Sequence, residues 1–120
     1  FFQADAPPGS GYVQIDAGKD STCAVRSNGA IVCWGDNTNG QTNKPTTKNF
    51  TSVSVGETHA CALRNDDAII CWGQGGFSQT IVPAGAYRAV TAGASATCGI
   101  EKDGGHLRCW GYFITMRAIP

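Results

Sequence analysis

Trp34, Trp72 and Trp110 stand 38 residues apart, and Cys23, Cys61 and Cys98 stand 38 and 37 apart. This period constrains the fold more than any other feature of the chain. Three segments carry it. The first runs Tyr12-Val-Gln-Ile-Asp-Ala-Gly18, then Cys23-Ala-Val-Arg26, then Ile31-Val-Cys33-Trp34-Gly35. The second runs Phe50-Thr-Ser-Val-Ser-Val-Gly56, then Cys61-Ala-Leu-Arg64, then Ile69-Ile-Cys71-Trp72-Gly73. The third runs Tyr87-Arg-Ala-Val-Thr-Ala-Gly93, then Cys98-Gly-Ile-Glu101, then Leu107-Arg-Cys109-Trp110-Gly111. A chain built this way is one supersecondary unit used three times, and such a unit buries its apolar face only against a neighbour.

Each unit reads as β. Val13-Gln-Ile15, Val53-Ser-Val55 and Val90-Thr-Ala92 alternate apolar and polar residues, which is the strand period. The later two runs of each unit flank Ser27-Asn28-Gly29, Asn65-Asp66-Asp67 and Lys102-Asp103-Gly104-Gly105, residues that build hairpin turns. No apolar stripe at helical spacing occurs, so almost no helix is expected. The turns also set a register. A turn at 27–29 pairs residues whose numbers sum to 56, and Cys23 and Cys33 satisfy that sum. Cys61 and Cys71 are centred on Asp66 in the same way, and the third unit adds one turn residue and one residue of separation. Directly opposed strand residues come close enough for a disulfide, most easily at a non-hydrogen-bonded pair. The expected bonds are Cys23–Cys33, Cys61–Cys71 and Cys98–Cys109.

Composition narrows the function classes. Lys+Arg 9 balance Asp+Glu 9, for a formal net charge of +0. A nucleic-acid binder normally shows a basic excess. Hydrophobic residues make up 42%, enough for a core, and a disordered tail would have few of them. Six cysteines without a Cys-x-x-Cys argue for disulfides over zinc, hence for an oxidising, extracellular setting. The chain opens Phe1-Phe2-Gln3 without an initiator methionine, and its expected status is a processed product or part of a longer protein. No apolar run is long enough to span a membrane. Asn49-Phe50-Thr51 is an N-glycosylation sequon, with Asn49 as the candidate acceptor.

The unit Val-x-Val-Gly-x-x-His-x-Cys-Ala-Leu-Arg-x-Asp-x-x-Ile-x-Cys-Trp-Gly at 53–73 resembles the regulator of chromosome condensation repeat, in the cysteine-bearing variant of bacterial proteins and Crinkly-type receptor ectodomains. Asn39-Gly40-Gln41 is similar to the family's Asn-x-x-Gly-Gln, and the later repeats depart from that signature. The resemblance implies an all-β fold in which each repeat is one blade of a β-propeller, usually with about seven blades. Residues 1–120 are then a single propeller segment with repeats at about 12–49, 50–86 and 87–120. Three blades fall short of the roughly four to eight that close a ring. The expectation is a partial ring, either part of a longer propeller or half of a six-bladed ring closed by a homodimer.

No catalytic constellation stands out. His59 fills the family's Gly-x-x-His slot, where its ring is expected to bond nearby backbone, and His106 lies in the third turn. Two lone histidines do not make a metal site, and Asp66-Asp67 falls in a turn. The chain is therefore read as a non-enzyme without cofactor. Loops on a rigid scaffold carry binding. Lys19, Asp20, Glu57, Thr58 and Ser95, after the first strand of each repeat, are the favoured binding set. The hairpin turns with Asn28, Asp66, Asp67, Lys102, Asp103 and His106 are the opposite set. Phe77, Tyr112 and Phe113 are candidate aromatic anchors for a protein partner. The expected function is a secreted or cell-surface protein-binding module. A carbohydrate-binding lectin and an enzyme inhibitor are the alternatives, the latter because the resemblance includes a β-lactamase-inhibiting propeller. The namesake activity, nucleotide exchange on a nuclear GTPase, fits poorly with three disulfides.

Overall fold

The computed structural model describes residues 7–74 and 79–111. Its strands are β1 (Tyr12–Ala17), β2 (Ser21–Arg26), β3 (Ile31–Gly35), β4 (Phe50–Val55), β5 (His59–Arg64), β6 (Ile69–Gly73), β7 (Tyr87–Ala92), β8 (Ala96–Glu101) and β9 (Leu107–Gly111). They form three separate antiparallel sheets in the orders β1-β2-β3, β4-β5-β6 and β7-β8-β9. Each sheet is one blade, and the three stand side by side as part of a ring. Among the described residues no helix is long and apolar enough to cross a membrane.

The hairpin registers follow from the turns. Val25 lies opposite Ile31, Leu63 opposite Ile69, and Ile100 opposite Leu107. In the first turn Gly29 adopts φ 85° and donates its N–H to the Arg26 carbonyl at 2.8 Å. Asp67 takes the same place in the second turn with φ 72°, a conformation open to Asp but uncommon outside glycine. This register sets the cysteines opposite each other, and the bonds are Cys23–Cys33, Cys61–Cys71 and Cys98–Cys109. Their Cα separations of 4.1, 4.0 and 4.0 Å belong to the close, non-hydrogen-bonded kind of antiparallel pair.

The core lies between blades rather than within them. Cys23, Val25 and Ile31 on the trailing face of blade 1 pack against Phe50, Val53 and Val55 of blade 2. Cys61, Leu63 and Ile69 of blade 2 cluster with Tyr87, Val90 and Ala92 of blade 3. Side chains and backbone then sew the joints. Gln14 donates Nε2–H to the Val53 carbonyl at 3.0 Å, and its Oε1 accepts the Val53 N–H at 2.7 Å. Asp16 Oδ2 accepts the Val55 N–H at 2.7 Å, and Ser54 Oγ accepts the Ala92 N–H at 2.9 Å.

The first strand forms where the alternation put it, with its apolar residues Val13 and Ile15 each 63% exposed. Alignment on Gly18, Gly56 and Gly93 makes Ile15 and Ala17 the counterparts of Val53 and Val55. The counterparts are buried because blade 1 stands before them. Among the described residues, nothing covers the leading face of blade 1.

Gly18 and Gly56 are set by close approach. A Cβ on Gly18 would collide with the Gly56 carbonyl oxygen, and one on Gly56 with the Gly93 carbonyl oxygen. A Cβ on Gly93 would meet only the Ala96 carbonyl, at an ordinary 3.4 Å. Gly56→Ala is therefore expected to destabilise the chain by about 2–4 kcal/mol through forced separation of two blades. Gly93→Ala should stay within about 1 kcal/mol of wild type. Urea unfolding of both variants checks this; equal losses would refute the stacked-glycine joint.

Candidate functional site

The stacked glycines bring the loops after β1, β4 and β7 to one rim. Gly18 abuts Gly56, Gly56 abuts Gly93, and the Glu57 N–H donates to the Gly93 carbonyl at 3.2 Å. Lys19 and Asp20, Glu57 and Thr58, and Ser95 thereby line successive positions of the same edge. Lys19 and Glu57 are exposed, and Asp20, Thr58 and Ser95 are half-buried. The Asp36 N–H donates to the Asp20 carbonyl at 2.8 Å, and the Gln74 N–H to the Thr58 carbonyl at 2.9 Å. Asp36 and Gln74 thus join this rim, although the sequence reading passed over both. Their signal was their place directly after Trp34-Gly35 and Trp72-Gly73, the end of each blade's third strand.

The two ends of the blades use charge differently. At the hairpin end, Arg64 grips Asp66 with two bonds, Nε to Oδ1 at 2.9 Å and Nη2 to Oδ2 at 2.6 Å. This pairing holds the Asp66 carboxyl below its ordinary pKa and raises that of Arg64. Lys102 reaches from blade 3 to Asp67 of blade 2 at 2.7 Å, which raises the lysine's pKa. Arg108 lies 3.5 Å and His106 Nδ1 3.7 Å from the Glu101 carboxylate. Charges at this end are largely spent on one another. Among the described residues, Lys19, Asp20 and Glu57 of the opposite rim form no ion pair.

A polar layer is buried inside the joints. Trp72 Nε1 donates to the Gln41 carbonyl at 2.8 Å, and Trp110 Nε1 to the Gln79 carbonyl at 2.9 Å. The linker leaving one blade is thereby latched onto the tryptophan of the next. Both glutamine side chains are fully buried. The regular spacing of Gln41 and Gln79 matches that of Trp72 and Trp110, and it is the sequence signal for these latches. Strict repetition of the tryptophans implied packing, and Trp110 also stacks at a tilt on Tyr87, with 6.0 Å between ring centroids.

His59 belongs to this layer rather than to a reactive site. Its Nε2 lies 2.7 Å from Thr97 Oγ1, across the joint between blades 2 and 3. The Thr97 hydroxyl spends its proton on the Gln79 carbonyl at 2.8 Å. His59 must then carry its proton on Nε2 and donate it to Thr97. Its partner is a neighbouring blade's side chain, not the nearby backbone that the sequence suggested. Burial pushes the His59 pKa down from 6.5 to about 4, and Nδ1 is enclosed without a hydrogen-bond partner. No group of three or more His, Cys, Asp or Glu residues that could hold a metal occurs among the described residues. Asn49 is half-buried, and its Oδ1 is enclosed. Phe77, Tyr112 and Phe113 lie outside the described residues.

Three disulfide-pinned, three-stranded blades joined through a Trp–Gln latch define a repeat β-propeller. The profile described as Regulator of chromosome condensation (RCC1) repeat matches residues 12–41 and 50–79. The chain belongs to this repeat family. The CRINKLY WD40 ectodomain of the Arabidopsis thaliana receptor kinase ACR4 is similar, with 29% identity and a TM-score of 0.73 over 84% of this chain and 37% of that one. The ectodomain of the Physcomitrella patens receptor kinase CR4 is 27% identical, with a TM-score of 0.66 over 81% of this chain and 29% of that one. Prp20p from Saccharomyces cerevisiae, described with its binding to Gsp1p and histones, shares the fold at 21% identity and a TM-score of 0.74. That match covers 88% of this chain and 32% of Prp20p. The chain therefore spans about a third of the length of these structures. No curated protein matches its sequence.

The histidine gives a pH dependence with a definite sign. His59 binds a proton less readily folded, at about 4, than unfolded, at 6.5. Its contribution is fully present above pH 6.5 and is lost as pH falls toward 4. Stability should drop by up to about 3 kcal/mol across that window. His59→Gln should flatten the profile there. A wild-type profile flat between these pH values would contradict the buried, neutral imidazole.

Proposed function

We propose that the chain is a non-catalytic module that binds a protein partner outside the cytosol, through the rim of Lys19, Asp20, Glu57, Thr58 and Ser95, with residues 1–120 acting as one propeller segment. The contrast between the two ends carries this reading. Charges that already pair within the blade lose those contacts on binding, whereas unpaired exposed charges are free to meet complementary groups. Among the described residues Lys19 and Glu57 are of the second kind, and the half-buried Asp20 also forms no ion pair. One disulfide in each blade supports an oxidising compartment. The likeness to two receptor ectodomains supports the same setting. The rigid blades hold the rim loops in place, and this favours recognition of a preformed surface.

The test uses two variant sets with the disulfides intact. Lys19→Ala, Asp20→Ala and Glu57→Ala together should reduce capture of the native partner by more than about tenfold. Asp66→Ala with Lys102→Ala, at the opposite end, should leave it near wild type. The reverse outcome would move the site to the hairpin end. A strong signal on a glycan array, lost with the rim variants, would replace the protein partner with a carbohydrate. The compartment is checked separately: reduction of protein from its native source should add about six mass units, two for each bond.

A further inference from the structure

The rim residues Glu57 and Thr58 run directly into His59, the first residue of β5. The backbone of His59 is part of the rim's frame. Its carbonyl accepts the Gly56 N–H at 2.8 Å, and a Cβ on Gly73 would fall 2.8 Å from its Cα. Its ring lies against Gly56, with Cε1 3.2 Å from where a Cβ on that glycine would stand. Across the same joint, the Glu57 N–H on the Gly93 carbonyl closes the rim. One wholly buried side chain thus holds both the joint and the edge above it.

The ring has a place for one proton and none for a second. Nε2–H is donated to Thr97 Oγ1, whose own proton goes to the Gln79 carbonyl. Nδ1 is enclosed without a hydrogen-bond partner. Packed round the ring are Gly56, Gly73 of β6, Thr97 of β8 and, behind it, Gln79, none of them charged. Glu57 is exposed on the rim. Arg64 of β5, Arg88 of β7 and Glu101 of β8 belong to the hairpin end, where Arg64 pairs with Asp66 and Glu101 with Arg108. A second proton would make a buried imidazolium with no counter-charge, which is strongly unfavourable. The ring can take it up once Thr97 draws back and water reaches Nδ1.

The joint between blades 1 and 2 is built otherwise. Ser21 holds the place of His59, opposite Gly35 as His59 is opposite Gly73, and Ala60 holds the place of Thr97. Its titratable group is Asp16, half-buried on the Val55 N–H. It is also more heavily stitched: Gln14 makes two bonds to the Val53 backbone, and Ser52, in the place of Gln14, does not repeat that clamp among the described residues.

We infer that the joint between blades 2 and 3 is an acid-sensitive clasp: when His59 gains its second proton the Thr97 contact breaks, blade 3 draws away from blade 2, and the edge formed by Glu57, Thr58 and Ser95 comes apart. That acid thereby releases a bound partner rests on the proposed role of the rim; the clasp itself does not.

Hydrogen exchange of the free chain, followed by NMR from about pH 7.5 to about pH 5 and corrected for intrinsic rates, tests the clasp without any partner. The Glu57 and Ala92 amides and the Trp110 indole N–H report on the joint between blades 2 and 3. The Val53 and Val55 amides and the Trp72 indole N–H report on the other. A ring that binds its proton at about 4 when closed and at 6.5 when open should cost the first set about 30-fold in protection at about pH 5. The second set should hold within about threefold. His59→Gln keeps a donor for Thr97 and should abolish the loss. His59→Ser with Thr97→Ala, which installs the pair already used between blades 1 and 2, should abolish it as well. Asp16→Asn should leave it in place. Protection of the first set that is flat with pH would overturn the proposal, as would equal loss in both sets or a loss that persists in the His59 variants. An opening clasp in a chain whose rim variants still capture the partner would support the clasp and fault the rim.

Discussion

A three-stranded blade has two faces and no means of covering either. Everything else in this structure follows from how one blade is laid against the next. The joint is made at close quarters, with the backbone of Gly56 against the Gly93 carbonyl and Gly18 against Gly56. Side chains larger than hydrogen at these points would separate the blades. That separation would remove the contacts of Val53 and Val55 with Cys23 and Val25. The apolar term is non-directional and favours any close pairing of the faces. The backbone donors of Val53, Val55 and Ala92, met by Gln14, Asp16 and Ser54, set the pairing in one register.

The buried polar groups serve the same joint from inside. Gln41 and Gln79 offer carbonyls to the indole N–H of Trp72 and Trp110, so the largest side chain of blades 2 and 3 packs into its joint with its one donor satisfied. Thr97 links the Gln79 carbonyl to His59, which ties the linker, blade 2 and blade 3 at one point. The disulfides do a different task. Each closes a short hairpin within one blade and none crosses a joint. They hold the unit together, and the noncovalent layer holds the units to each other.

The proposed function rests on a difference between two ends of the same scaffold. At the hairpin end, acidic turn residues serve chain geometry and are neutralised by Arg64 and Lys102. Asp66 Oδ1 also accepts the Ala68 N–H within the turn, so its charge is part of the local fold. The rim beyond β1, β4 and β7 owes its form to glycine stacking and backbone bonds. Lys19 and Glu57 are exposed there, in keeping with the proposed binding rim.

Much of the blade was legible in the sequence. Hairpin register depends on turn length, and turn length is counted along the chain, so the pairings of Val25 with Ile31 and of Cys23 with Cys33 could be read from numbers alone. The resemblance to a known repeat supplied the stacking of blades. The sequence did not reveal which residues face the joint in β1, because alternation is identical on a covered and an uncovered face. Nor did it pair His59 with Thr97, which lies 38 residues away. Asp36 and Gln74 reached the rim through backbone bonds that leave no mark in residue type. Local geometry is encoded over a few residues and can be read from them. Contacts between blades depend on the angle at which whole sheets meet, and only the packed structure decides that angle.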